Sequence, residues 1–246
     1  MMTKTLLVIL FCSSMLVSFR TDEAVPYTTV KFPSQDELAI TADLYKIDET
    51  KPIILLCHQA GYSRGEYREI AVKLNKLGFN CLAMDQRSGS KVNGVDNETA
   101  RGAMKAKLAM QYGDAEQDIR AAIAYLYHRW EKPVIIWGSS YSAALVLKIG
   151  KEDDQVAAIL AFSPGEYIEG TNIKEAATGI IKPLFVTSSK NEGPAVADLI
   201  SGVVGDRKVQ FIPQSKGKHG SKALWTSSEG HGKYWTVVEM FLSKIQ

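Results

Sequence analysis

The sequence predicts an α/β domain with a mostly parallel central sheet, helices on both faces and an N-terminal antiparallel hairpin. Three observations carry that prediction. Short apolar runs recur at 53–57, 79–84, 134–137, 156–162, 184–186 and 209–212. Runs of this continuous kind suit strands covered on both sides. Between several of them, apolar residues fall at helical spacing. Finally, 27–32 and 38–45 alternate apolar and polar residues around Pro33-Ser34-Gln35-Asp36, the pattern of a hairpin with one wet face.

Taken in order, Pro52 introduces the strand Ile53-Ile54-Leu55-Leu56-Cys57. Ile70, Leu74 and Leu77 mark one face of a helix that Gly78 is placed to end. After the strand 79–84 comes a long excursion, 88–112, with Asn93-Gly94 and a helix-like run over 100–110. Ile119, Ala122, Ile123, Leu126 and Tyr127 form an amphipathic helix, and Pro133 opens the strand 134–137. A helix over 140–149, strands at 156–162, 184–186 and 209–212, and a closing helix over 234–245 complete the chain. In such sheets ligands bind beyond the carboxyl ends of the strands, so functional residues belong just after each run.

The 246 residues suit one large domain, 24–246, with no repeat or linker to divide it. A composition of 46% hydrophobic and 23% charged residues, with a net charge of +2, describes a globular protein with a sizeable core. Charges of both signs are interspersed, which argues against a nucleic-acid partner. No heptad pattern marks an assembly helix, so the sequence leaves the oligomeric state open.

Lys4, the apolar run 6–17 and the polar Arg20-Thr21-Asp22-Glu23 read as a secretory signal peptide over 1–20, cleaved near Ser18. The run falls short of the roughly 17–25 apolar residues of a membrane span. The expected location is therefore secreted or periplasmic, with no stable membrane insertion once the signal is removed. A lipid anchor on Cys12 is disfavoured by Phe11, which stands where a small residue belongs. A buried N-terminal helix is the remaining reading of the segment. Cys57 and Cys81 sit inside apolar runs and read as buried free thiols, and their spacing matches no metal motif.

The chemistry concentrates in Gly138-Ser139-Ser140-Tyr141-Ser142, which follows Val134-Ile135-Ile136-Trp137 and precedes Ala143-Ala144-Leu145. A strand, a tight turn and a helix around Gly-x-Ser-x-Ser expose a strained serine above the sheet. Small residues two before and two after are required because the strand and helix backbones nearly touch. Gly138 and Ser142 meet that need around Ser140, whereas Ser139 would place Trp137 and Tyr141 in the crowded positions. Serines that merely cap a helix are the competing reading.

With this elbow, Leu56-Cys57-His58-Gln59, Asp85-Gln86-Arg87 and His219-Gly220, the chain from 27 to 246 resembles the α/β-hydrolase family. Its dienelactone-hydrolase-like esterase branch is the most similar. The resemblance implies hydrolysis of esters and related acyl compounds without a cofactor or metal, through Ser140 as nucleophile. Its base belongs a few residues after the last strand, at His219. His231, just before the closing helix, competes, and His128 reads as a solvent-facing helix residue. The family's acid follows the strand at 184–186, where Asn191 stands closest to the usual aspartate position. That departure makes Glu192 the candidate acid and Glu166 the second choice. The oxyanion donors implied are the backbone N–H groups of Tyr141 and Gln59, and Asp85 and Arg87 take structural roles.

Only about twenty residues, 163–183, lie where many relatives insert a large lid. An accessible cleft for a small-molecule ester or other acyl substrate follows, with the excursion 88–112 as a flap and Tyr141 as an aromatic wall. Thioester, lactone and peptide substrates stay open. The alternative reading is a non-catalytic ligand-binding domain on the same scaffold, motivated by Asn191.

Overall fold

The computed structural model describes residues 27–203 and 205–245. The signal sequence expected over 1–20, with Cys12, lies outside the described residues. The hairpin is β1 (Thr28–Pro33) and β2 (Ala39–Tyr45), in register from Thr28↔Leu44 to Pro33↔Ala39. Then come β3 (Ile53–Cys57), α1 (Arg68–Lys76) and β4 (Asn80–Met84). The excursion holds β5 (Lys91–Val92), β6 (Val95–Asp96) and α2 (Glu98–Ala106). Next are α3 (Glu116–Trp130), β7 (Val134–Ser139), α4 (Tyr141–Glu152) and β8 (Val156–Phe162). Finally come α5 (Ile173–Ala177), β9 (Leu184–Thr187), α6 (Gly193–Leu199), β10 (Lys208–Phe211) and α7 (His231–Leu242).

Eight strands form one sheet in the order β1-β2-β4-β3-β7-β8-β9-β10. β2 lies antiparallel to β1 and β4, and every pair from β4 to β10 is parallel. Successive residues of β3 show why its run had to be apolar throughout. Ile53, Leu55 and Cys57 join a core with Ile119 and Ile123 of α3 and Leu145 of α4. Ile54 and Leu56 face the other way, toward Ile70 and Leu74 of α1 and Trp235 and Val238 of α7. Each such side chain, fully buried, contributes roughly 1.5–3 kcal/mol. Cys57 and Cys81 fall into these two opposite cores and are free thiols.

Local signals explain most boundaries. Gly78, at φ 91°, follows α1 in the left-handed conformation, and the N–H of Phe79 closes the helix end on the Leu74 carbonyl. Asn93 and Gly94 both take positive φ and turn β5 into β6, as Asn-Gly does in tight hairpins. The Asn97 side chain accepts from the Ala100 N–H and starts α2 at Glu98, ahead of the run 100–110. Gly230, at φ 77°, lets α7 start at His231 rather than 234. No described helix is long and apolar enough to cross a membrane.

Two buried arginines pin the end of β4 to its neighbours. Arg64 contacts Asp85 at 2.6 Å and Asp43 at 3.0 Å. Arg87 contacts Asp118 at 2.7 Å and Asp36 at 2.8 Å. Burial lifts the Asp85 carboxyl to about 6 against the pull of Arg64. Asp85 and Arg87 thus hold loops in place, and the carboxyl ends of β3, β4 and β7–β10 open on one edge.

Candidate active site

Ser140 stands between β7 and α4 with φ 59° and ψ −121°. A non-glycine residue there costs about 1–3 kcal/mol unless its surroundings enforce it. The enforcement is visible on both sides: the Ser140 N–H donates to the Phe162 carbonyl, and its own carbonyl accepts from Ala143. A Cβ on Gly138 would lie 2.3 Å from the Ser142 carbonyl oxygen, so only glycine fits that close approach.

The three neighbouring serines are sorted by their partners. Ser142 Oγ donates to the His58 carbonyl at 2.6 Å and accepts from the Gln86 amide. Ser139 Oγ donates to Glu66 Oε1 at 2.8 Å. Ser140 Oγ alone of the three meets an imidazole ring, 2.8 Å from His219 Nε2. His219 Nδ1 bonds Glu192 Oε1. Because a carboxylate only accepts, the proton belongs on Nδ1, which leaves Nε2 to accept from the serine hydroxyl.

Glu192 ends a short turn (Lys190–Glu192) after β9 and closes a capping box with Ser189. Its Oε2 accepts from the Ser189 N–H, Ser189 Oγ and Ser163 Oγ, each within 2.9 Å. Burial alone would raise this carboxyl; bonds from His219 and Ser189, with the histidine's charge, overcome it and bring it down to about 2. Asn191 is exposed. Glu166 accepts from the N–H groups of Ile173 and Lys174 and so caps α5. His128 is exposed on α3, and His231 begins α7.

Two expectations need correction. The Gln59 N–H is taken: it donates to Glu66 Oε2 at 2.8 Å, and so does not face Ser140 as a free donor. Among the described residues the N–H groups of Ala60, one residue on, and of Tyr141 have no bonded acceptor. The Tyr141 ring is only 1% exposed, its hydroxyl bonded to Gln86 and the Ser88 carbonyl. Tyr112, 40% exposed, stacks on it at 4.5 Å and covers the ring.

The excursion is tied down. Asn97 Nδ2 bonds the Gln86 carbonyl and His58 Nε2. His58 is wholly buried, and burial pushes its ring down to about 4, so it is neutral at physiological pH. A cleft of about 270 Å³ adjoins Glu192, lined by Pro164, Tyr167, Lys174, Val196 and Leu199. Among the described residues no group of three or more His, Cys, Asp or Glu side chains is placed to hold a metal ion.

Residues 48–209, more than half of the chain, match the family model described as serine aminopeptidase, S33. The chain belongs to this hydrolase family. As an α/β hydrolase it shares its fold with an esterase of Pyrococcus furiosus, at 17% identity and TM-score 0.66, covering 90% of this chain and 93% of that one. It is also similar to a dienelactone hydrolase of Anabaena variabilis, at 16% identity and TM-score 0.69, covering 89% and 98%. Among curated proteins, the quorum-quenching protein AidA of Acinetobacter baumannii is 26% identical over 215 residues. That alignment takes in 85% of this hydrolase and 64% of AidA, so the chain spans under two thirds of that relative.

Sequence reasoning missed Glu66, Ser163 and Gln86. Glu66 reads in Arg64-Gly65-Glu66-Tyr67 as an ordinary acid at a helix start, and nothing local signals its burial.

Proposed function

We propose that this α/β hydrolase cleaves ester or related acyl bonds through an acyl-enzyme on Ser140, with His219 as base and Glu192 orienting it. The observation that carries this reading is the continuous hydrogen-bonded chain from Ser140 Oγ through the His219 ring to Glu192. A serine hydroxyl is a weak nucleophile until a base takes its proton. His219 Nε2 takes it as Ser140 Oγ bonds the substrate carbonyl carbon, and the imidazolium then gives it to the departing alcohol. Water repeats the two steps on the acyl-enzyme, releasing the acid and restoring Ser140.

The carbonyl oxygen carries negative charge in each tetrahedral state. The N–H of Tyr141, at the start of α4, and that of Ala60 are the proposed donors. Each such donor is worth about 2.7–4 kcal/mol of barrier. Glu192, with its carboxyl held down to about 2, stays ionised through the working range and stabilises the imidazolium. The signal-like segment 1–20 supports action outside the cytoplasm.

The test is covalent labelling with a fluorophosphonate and mapping of the modified residue. Modification of Ser140 in the folded protein, lost in His219→Ala, is the expected result. Folded protein that neither labels nor hydrolyses an ester panel would return the chain to the ligand-binding reading.

A further inference from the structure

The most unusual group near the site is one the proposed reaction does not use. Glu66 lies in the short turn Arg64–Tyr67 ahead of α1 and is 0% exposed, yet no cation pairs with it at salt-bridge distance among the described residues. Its carboxylate binds two catalytic loops directly and is linked to a third through Ser139. Oε2 accepts from the Gln59 N–H at 2.8 Å, on the loop that follows β3. Oε1 accepts from Ser139 Oγ at 2.8 Å, in the peptide chain directly before Ser140. That same Ser139 Oγ accepts from the N–H of Ser221, two residues after His219, at 2.8 Å.

We propose that Glu66 is a positioning residue: its carboxylate fixes the loop carrying Ala60, the nucleophile turn and the histidine loop against one another. The inference rests on the reading of Ser140 as nucleophile. Hydrogen bonds to an ionised acceptor are roughly twice as strong as neutral ones. By occupying the Gln59 N–H, the carboxylate fixes the peptide before Ala60 and leaves the next N–H to face the reaction.

The position also makes the linkage sensitive to protonation. Burial lifts the Glu66 carboxyl to about 7, against the lowering effect of the Gln59 N–H, the Ser139 hydroxyl and the charges of His219 and Lys222. Tyr62 and Tyr67 flank it on its own segment and are themselves pushed up, by burial and then by the Glu66 charge. Above neutrality the ionised carboxylate holds all its donors. Below it, a proton occupies one oxygen and that oxygen's bonds weaken.

The experiment compares wild type, Glu66→Gln and Ser139→Ala on p-nitrophenyl acetate from pH 5 to 9, alongside fluorophosphonate labelling and thermal melting. For Glu66→Gln, kcat at pH 8 falls on the order of tenfold to a hundredfold while KM stays within about twofold. Loss of the free base His219 on the acid side is common to both proteins. Wild type loses further activity there as Glu66 takes up its proton, and that added loss is absent from Glu66→Gln. Ser139→Ala removes one bond to the charged form, so the added loss due to Glu66 begins at a higher pH than in wild type. Together the two substitutions cost less than the product of their separate effects, because they remove a shared bond.

Active wild type with an unchanged kcat and pH profile in folded Glu66→Gln overturns the proposal alone. So does a Ser139→Ala profile whose acid-side loss begins no higher than that of wild type, which is decisive if Glu66→Gln does not fold. Wild type that neither labels at Ser140 nor turns over ester overturns the nucleophile reading, and this inference with it.

Discussion

Ser163 Oγ donates to Glu192 Oε2 at 2.9 Å and accepts the Gly220 N–H at 2.9 Å, so one hydroxyl joins the acid to the residue after His219. Ser163 holds this place at the end of β8 with φ 54°, a left-handed conformation that a non-glycine residue adopts at a cost. Its exposure of 1% removes water as a substitute partner.

Ser163→Ala and Ser163→Gly separate the two features. Both lose the hydroxyl, so both lower kcat by about tenfold, an order-of-magnitude cost of loosened geometry. Glycine relieves the backbone strain and alanine does not. Ser163→Gly is therefore the more stable variant, by about 1 kcal/mol, despite equal loss of activity. Ester kinetics and urea unfolding on the same preparations decide it; a fully active Ser163→Gly would remove the hydroxyl from the catalytic arrangement.

Glu192 and Glu166 were both legible as acid candidates, and their partners now predict opposite outcomes. Glu192→Gln keeps the shape but presents an amide to His219 Nδ1, favouring the wrong tautomer. A fall in kcat of about 10⁴-fold is expected by analogy with the amide variant of a Ser-His-Asp protease. Glu166→Gln weakens only the cap on α5. Activity within about twofold of wild type and a small loss of stability, ~0.5–2 kcal/mol, are expected there. Parallel kinetics and melting curves would expose an inverted assignment.

The pH dependence of stability has a definite sign at Glu192. Its carboxyl lies at about 2 in the folded protein, below the ordinary 4.5, so the unfolded chain binds more protons between those values. Its stabilising contribution is complete above about 4.5 and is lost as pH falls through about 2. Glu66 acts in the opposite direction: its raised carboxyl favours the folded state below 4.5, and that advantage fades as pH rises through about 7. Urea midpoints of wild type minus Glu192→Gln should shrink below about pH 4.5, whereas those of wild type minus Glu66→Gln should decline between 4.5 and 7. A flat difference for Glu192 would contradict its hydrogen-bonded state.

What the sequence revealed follows from how local its signals were. The parallel strands declared themselves because both faces of β3 and of β7 up to Trp137 are covered, which keeps those runs apolar. Ser140 was legible because Gly138, two residues before it, is demanded by the close approach of the Ser142 backbone. Position after the last strand pointed to His219, but its ring meets Ser140 across 79 residues of chain, beyond any local pattern. The Gln59 assignment went wrong for a related reason. Which of two adjacent N–H groups is free depends on Glu66, seven residues on, and no local pattern shows that this carboxylate turns inward. The sequence analysis assigned no helix at α6; Pro194 sits in its first turn, where its missing N–H leaves no helix bond unmade.

The elbow itself gives the last prediction. Gly138→Ala places a methyl group 2.3 Å from the Ser142 carbonyl oxygen, and the atom in the way is backbone rather than a movable side-chain end. Strand β7 and helix α4 must then part, which moves Ser140 away from His219. Loss of fluorophosphonate labelling, with a melting transition lowered or absent, is the expected result. Ser142→Gly is the contrasting variant. It restores the small residue usual in such turns but removes the bonds to the His58 carbonyl and the Gln86 amide. The buried partners left behind cost about 1–3 kcal/mol, while the turn keeps its shape and Ser140 still labels. If Gly138→Ala labels as well as wild type, the close packing of strand on helix is not what holds the serine in place.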